Sequence, residues 1–180
     1  TDWHAHEMLY GYVAAIVTGF LLTAIPNWTG RLPLNGLPLM VLLAFWIAGR
    51  VAVSISGIIG WAPAAIIDLV FLCVVLAAAG REIVAGENWR NLRVLAVVAA
   101  FALANVGYHL EAHWRGDAAY SRRFALSTIL LLVMLIGGRI IPSFTRNWLV
   151  RENPGRLPTP FDRFDAVAMM AGALALAAWT

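Results

Sequence analysis

The sequence predicts an all-α fold: a polytopic bundle of transmembrane helices, with five complete helices and the start of a sixth. Three observations carry this. Hydrophobic residues make up 61% of the chain and charged residues 13%, with a mean hydropathy of +0.76, well away from an ordinary soluble domain. The apolar residues fall in runs of ~18 to 22, the length that crosses a hydrocarbon core of about 30 Å. Prolines and arginines separate the runs, and the long polar faces of a soluble helical domain are missing.

The spans fall near residues 5–25, 37–55, 61–80, 93–114 and 122–142, with the sixth from about 163. Pro26, Pro38, Pro63 and Pro142 mark their boundaries, because proline lacks an amide donor and clashes within a helix. Pro154, Pro158 and Pro160 mark a loop. The chain reads as a single transmembrane domain over 1–180, with connecting loops at 80–93 and 146–163. It opens on Thr1 and stops inside an apolar run, so it is expected to be a piece of a longer protein without a signal peptide.

All thirteen basic residues are arginine, and the formal net charge is +3. They form no cluster dense enough for nucleic acid, so lipid is the expected surroundings and nucleic acid is not an expected partner. Their distribution sets topology instead. Arg31, Arg81, Arg90, Arg93, Arg146, Arg151, Arg156 and Arg163 flank one side of the spans, and Arg115, Arg122 and Arg123 the other. By the positive-inside rule the first side is cytoplasmic, the N-terminus lies outside and the first span runs inward. The single cysteine, Cys73, sits in an apolar run and excludes an intrachain disulfide.

This topology puts all four histidines at one interface. His4 and His6 open the first span, and His109 and His113 lie at the outer end of the fourth. His109 and His113 are four apart, so they share a helix face with Asn105 one turn below, a chelating arrangement. His4 and His6 are two apart and point about 160° away from each other on a helix. His4 is expected to face inward, with Met8 beneath it and Gly11, Ala15 and Gly19 continuing a small-residue ridge. Imidazole and thioether both ligate haem iron and copper. The plain alternative is interfacial seating of amphipathic rings, and Trp3, Tyr10, Tyr108, Trp114 and Tyr120 fit such a belt.

Four charges lie within or near the ends of spans: Arg50, Asp68, Glu111 and Arg139. A charge at mid-depth costs about 2.5 to 3.5 kcal/mol on insertion scales, so it seeks a partner. Arg50 and Asp68, on hairpin-connected spans, are expected to pair; a haem propionate is an alternative partner for Arg50. Glu111 points away from His109 and His113 and is expected to meet Arg115 or solvent. Tyr108 and Asn105 are better placed to hydrogen-bond the histidines. Ile25-Pro26-Asn27-Trp28-Thr29 and Ile141-Pro142-Ser143-Phe144-Thr145 end two spans that run in the same direction, a thin sign of an internal repeat. Walker A, dinucleotide, H-E-x-x-H and Cys-x-x-Cys patterns are absent, and His6-Glu7 is half of a zincin motif.

Several of these residues together resemble the NnrS family. They are Trp3-His4-Ala5-His6-Glu7-Met8 with Gly11, Gly19-Phe20-Leu21-Leu22-Thr23-Ala24, Pro26-Asn27-Trp28-Thr29-Gly30, Ala48-Gly49-Arg50, Gly138-Arg139-Ile140-Ile141-Pro142 and Phe144-Thr145-Arg146-Asn147. The resemblance implies a bacterial inner-membrane protein of about twelve spans, haem as cofactor and copper as a second metal, and a part in nitric oxide response and denitrification. On this reading the fragment is roughly the first half of such a protein without its first helix. His4, His6 and Met8 match the family's opening motif, whereas His109 and His113 rest on helical geometry and Arg50 on its chemistry. Catalysis is left open. The alternative function is a transporter that moves a small solute or metal along Arg50, Asp68 and the histidines.

Overall fold

The computed structural model describes residues 2–152, 155–159 and 161–180, and among them all regular structure is helical. Helix α1 (Asp2–Thr29) contains a π-helical segment, Glu7–Val13. It is followed by α2 (Leu37–Ser54), the short α3 (Ser56–Ile59) and α4 (Trp61–Ala85). A 3₁₀ turn, Trp89–Asn91, leads into α5 (Leu92–Arg115), and α6 (Ala119–Glu152) and α7 (Arg163–Trp179) complete the chain.

Helices α1, α2, α4 and α6, and α5 with its 3₁₀ turn, are each long and apolar enough to span a bilayer. The protein is an integral membrane protein. Its outward faces are apolar as lipid requires: α2 alone exposes Leu39, Met40, Leu43, Ile47 and Val51. The centre of the bundle is α4, which packs against α1, α2 and α5, while α6 covers α5 and α7 covers α6. Buried Phe71, Leu72 and Val75 of α4 join Leu21 and Ile25 of α1 and Val94, Val98 and Phe101 of α5 in one core.

The spans lie where hydropathy places them, but two outlast their prolines. Pro26 and Pro142 fall inside α1 and α6 instead of ending them. In α1 side chains take up carbonyls around the interruption: Asn27 Nδ2 donates to Thr23 O at 3.0 Å and Thr29 Oγ1 to Ile25 O at 2.8 Å. Hydroxyls and amides of this kind make proline tolerable in a membrane helix. Helix α6 runs ten residues beyond Pro142 to Glu152, so the first part of the expected 146–163 loop is helical. At 1.5 Å per residue α6 is about 50 Å long, more than a hydrocarbon core needs. Ile25–Thr29 is thus the last turn of α1, closed by Gly30 in the left-handed region, whereas Ile141–Thr145 lies inside α6, so the two segments are not a matched pair of helix ends. The expected loop residues Pro154 and Pro160 lie outside the described residues.

At the turn between α5 and α6, Glu111 accepts hydrogen bonds from the backbone N–H groups of Tyr120 and Ser121 at 3.2 and 2.8 Å. Its carboxylate thereby caps the start of α6, with Arg115 3.9 Å away. Glu111 is thus a structural residue of the hairpin, turned away from the histidines as expected.

Candidate metal centre

Four helices meet at a buried polar cluster near the start of α1 and the end of α5. Helix α4 contributes Asp68, 2% exposed; α1 contributes His6, 3% exposed, and Glu7; α2 contributes Arg50; and α5 contributes Asn105, fully buried, and His109. One oxygen of Asp68, Oδ2, is the focus. It lies 3.3 Å from His6 Nε2 and 3.1 Å from His109 Nε2, and it accepts from Asn105 Nδ2 at 2.8 Å. The other oxygen, Oδ1, accepts from Arg50 Nη2.

His6 and Asp68 each have an orienting partner. Arg50 Nη1 donates to Glu7 Oε1 at 2.7 Å, so the guanidinium bridges the carboxylates of Glu7 and Asp68. Glu7 Oε1 also stands 3.3 Å from His6 Nδ1. That leaves His6 Nε2 turned to Asp68 and to Asn105 Oδ1 at 3.2 Å. Imidazoles that bind metal regularly donate their second N–H to a carboxylate, which fixes ring and tautomer. Glu7 is so placed for His6.

Two glycines make the approach possible. A Cβ on Gly49 would stand 3.1 Å from Asp68 Oδ1 and 3.2 Å from Asp68 Cα, so only glycine lets α2 lie this close to α4. A Cβ on Gly11 would stand 2.9 Å from Arg50 Nη1 and thereby crowd the guanidinium. Trp46 Nε1 donates to Gly11 O at 3.0 Å, a second tie between α1 and α2. The small-residue ridge expected through Gly11, Ala15 and Gly19 is close-packed only at its outer end, since nothing lies within 4 Å of a Cβ at Gly19.

The histidine that faces inward is His6, not His4. His4 is exposed and Met8 is 47% exposed, so neither reaches the cluster. The inward stripe of α1 is His6, Tyr10, Ala14 and Thr18, all spaced by four. In an α-helix steps of four drift by about 40° each. The i→i+5 turns of the π segment add about one residue per turn and so hold the stripe in line. Tyr10 anchors it, 1% exposed with its ring 5.1 Å from those of both His6 and Phe101. Tyr108 meets His6 edge-on at 5.3 Å, and its hydroxyl donates to Asp2 O at 2.8 Å, fastening the start of α1 to α5.

His109 and His113 do share a face of α5, but they divide between two tasks. His109 joins Asp68, while the His113 ring stacks on Trp61 at 4.2 Å with planes 18° apart. Both border, with His6, a cavity of about 380 Å³ that Ser56, Trp61 and Tyr108 also line. Arg50 and Asp68 pair as expected. What sequence reasoning missed is that the second oxygen of Asp68 gathers two histidines, and that Glu7 bridges to Arg50 and His6. An acid two turns into an apolar span was the available signal for Asp68.

Chemically, His6 Nε2, His109 Nε2 and an Asp68 oxygen form a group whose donor atoms all lie within 4.8 Å of one another. A tetrahedral ion with bonds of about 2.0 to 2.1 Å separates its ligands by about 3.3 Å, close to the spacings found here. The formal charges of Glu7, Asp68 and Arg50 leave one negative charge over, so the cluster favours a cation, whether a metal ion or a proton on one imidazole. The same two imidazoles do not fit opposite faces of one haem. Axial nitrogens stand about 4 Å apart across an iron, with the ring centroids farther still, whereas the His6 and His109 centroids are 4.8 Å apart and the rings are tilted by 56°.

No curated protein and no solved structure matches the chain. The family model described as "NnrS protein" matches residues 1–180. A polytopic helical membrane protein, the residues of the opening motif and a match over the full length of the sequence agree: the chain belongs to the NnrS family.

Proposed function

We propose that this chain is a copper-binding membrane protein of nitric oxide response, with one copper ion held by His6, Asp68 and His109. The observation that carries the reading is the convergence of His6 Nε2 and His109 Nε2 on one buried oxygen of Asp68, while Glu7 occupies His6 Nδ1. Two imidazoles and a carboxylate suit copper, iron or zinc, and among divalent first-row ions copper binds such donors most tightly. The cavity bordered by His113 and Trp61 leaves one side of the ion open to a small ligand. Haem, the other cofactor implied by the resemblance, is not assigned to the His6–His109 pair. In the orientation inferred from arginine bias, the centre lies near the periplasmic side of the inner membrane and the 80–93 and 146–163 segments face the cytoplasm. A transport path through the same residues is less well supported, because Arg50 and Asp68 close on each other.

Copper titration with elemental analysis of purified protein tests the reading. His6→Ala and His109→Ala should each lower copper affinity by at least tenfold, and His4→Ala should leave it unchanged. Wild-type affinity in both inner variants would refute the centre. A visible spectrum of the same samples reports haem separately: a Soret band unaltered in His6→Ala and His109→Ala is the expected result for any haem present.

A further inference from the structure

A second cavity lies beside the inner half of α6, away from the metal centre. It measures about 310 Å³ and is bordered by Arg90, Arg139 and Arg146, with Ser143, Thr159 and Phe161 completing the wall. These arginines come from two separate segments, the 3₁₀ turn before α5 and the inner half of α6, and Pro158, Thr159 and Phe161 border a third side. Among the described residues, no carboxylate borders the cavity.

Arginines on the cytoplasmic side of a membrane protein need no ligand to explain their presence. Their convergence here does call for one. Among the described residues the arginine ion pairs involve Arg31, Arg50, Arg81, Arg115 and Arg122, and none involves Arg90, Arg139 or Arg146. Arg139 is the telling case. It is half-buried in a membrane-length helix, where a charge normally sits against an opposite one, as Arg50 does. Its polar contact is instead with Asn91 Oδ1, which accepts from Nη1 at 2.9 Å. Asn91 is 5% exposed and its own amide donates to Asn88 Oδ1 at 3.0 Å, so this contact steers the guanidinium without neutralising it.

We propose that this cavity binds a phosphate-class oxyanion, offered either by the headgroup of an anionic phospholipid or by free phosphate. Guanidinium forks match phosphate oxygens bidentately, and the Ser143 and Thr159 hydroxyls add neutral donors. Basic pockets between helices on the cytoplasmic side are suited to lipid headgroups, and exposed Phe161 at the rim supplies an apolar surface for the start of an acyl chain.

The test is thermal unfolding of the purified protein in neutral detergent, with phosphatidylglycerol, phosphatidylcholine, or inorganic phosphate against chloride at matched ionic strength. Phosphatidylglycerol or phosphate should raise the midpoint by about 5 °C, and phosphatidylcholine should not. Arg139→Gln and exposed Arg90→Gln should each lose at least half of the shift, and Arg81→Gln, outside the cavity, should keep it. A shift from phosphatidylglycerol alone identifies a headgroup site, and a shift from inorganic phosphate identifies a free-anion site. No shift with either, equal shifts in wild type and Arg90→Gln, or an equal loss in Arg81→Gln would overturn the proposal. The Arg90 variant carries the test if Arg139→Gln fails to fold.

Discussion

The ring centroids of His6 and His109 lie 4.8 Å apart, and both Nε2 atoms point at one oxygen of Asp68. This relationship joins the first and fifth helices through the fourth, and the rings of Tyr10 and Tyr108 pack against His6. A cluster of this kind is costly to leave half-satisfied in a low-dielectric setting. The following outcomes are expected.

Removing Arg50 and Asp68 together should harm the fold less than the sum of removing each alone. Arg50→Gln leaves the carboxylates of Glu7 and Asp68 facing each other without their shared guanidinium and should cost about 3 to 5 kcal/mol. Arg50→Gln combined with Asp68→Asn should cost less than the two single changes added together, a coupling of about 2 kcal/mol in a double-mutant cycle. Unfolding in detergent measures this, and additive single effects would show that the ion pair is not a unit.

Close approach at Gly49 should be intolerant of a single methyl group. Gly49→Ala places a Cβ against the backbone of Asp68 and should destabilise by about 1 to 3 kcal/mol as an overpacked contact. Copper affinity should fall as well, because Asp68 must move. Gly19→Ala, with nothing within 4 Å of the new methyl, should leave both quantities unchanged. Equal melting temperatures for the two variants would contradict the packing described.

Tyr10 offers a change expected to stabilise. Its ring is 1% exposed, and its hydroxyl is buried with no hydrogen-bond partner among the described residues. Tyr10→Phe should therefore raise stability by about 1 kcal/mol, by relieving an unpaired donor, and leave copper binding intact. A destabilised variant would mean that the hydroxyl is bonded in the working protein.

Much of the architecture follows from local rules that a sequence displays directly. Hydrocarbon thickness and composition dictate the spans, and each falls on one observed helix, although α4 and α6 run past their expected ends to Ala85 and Glu152. Spacing of four on α5 puts His109 and His113 on one face, and spacing of two on α1 sets His4 against His6. The Arg50–Asp68 pair also followed, since neighbouring spans with opposite charges have few other ways to bury them.

Where local rules run out, the reasons are specific. A proline looks like a helix end, but α1 runs three residues past Pro26 and α6 ten past Pro142. Which of His4 and His6 faces inward depended on the π segment and on where Tyr10 found its aromatic neighbours. Neither is visible as a period in the sequence, which favours His4 where the structure turns His6 inward. Likewise, that Asp68 offers its second oxygen to His6 and His109 depends on how closely α4 approaches α1 and α5.

The sequence by itself thus determined a membrane-spanning helical bundle, its spans, and the pairing of its central charges, because bilayer thickness and the cost of a lone charge act on each segment separately. Only the tertiary structure decided which histidine turns inward, that His109 and His113 part company, and that one carboxylate gathers two imidazoles. Those outcomes depend on distances between helices, and such distances are set by the small residues and aromatic rings that meet across them.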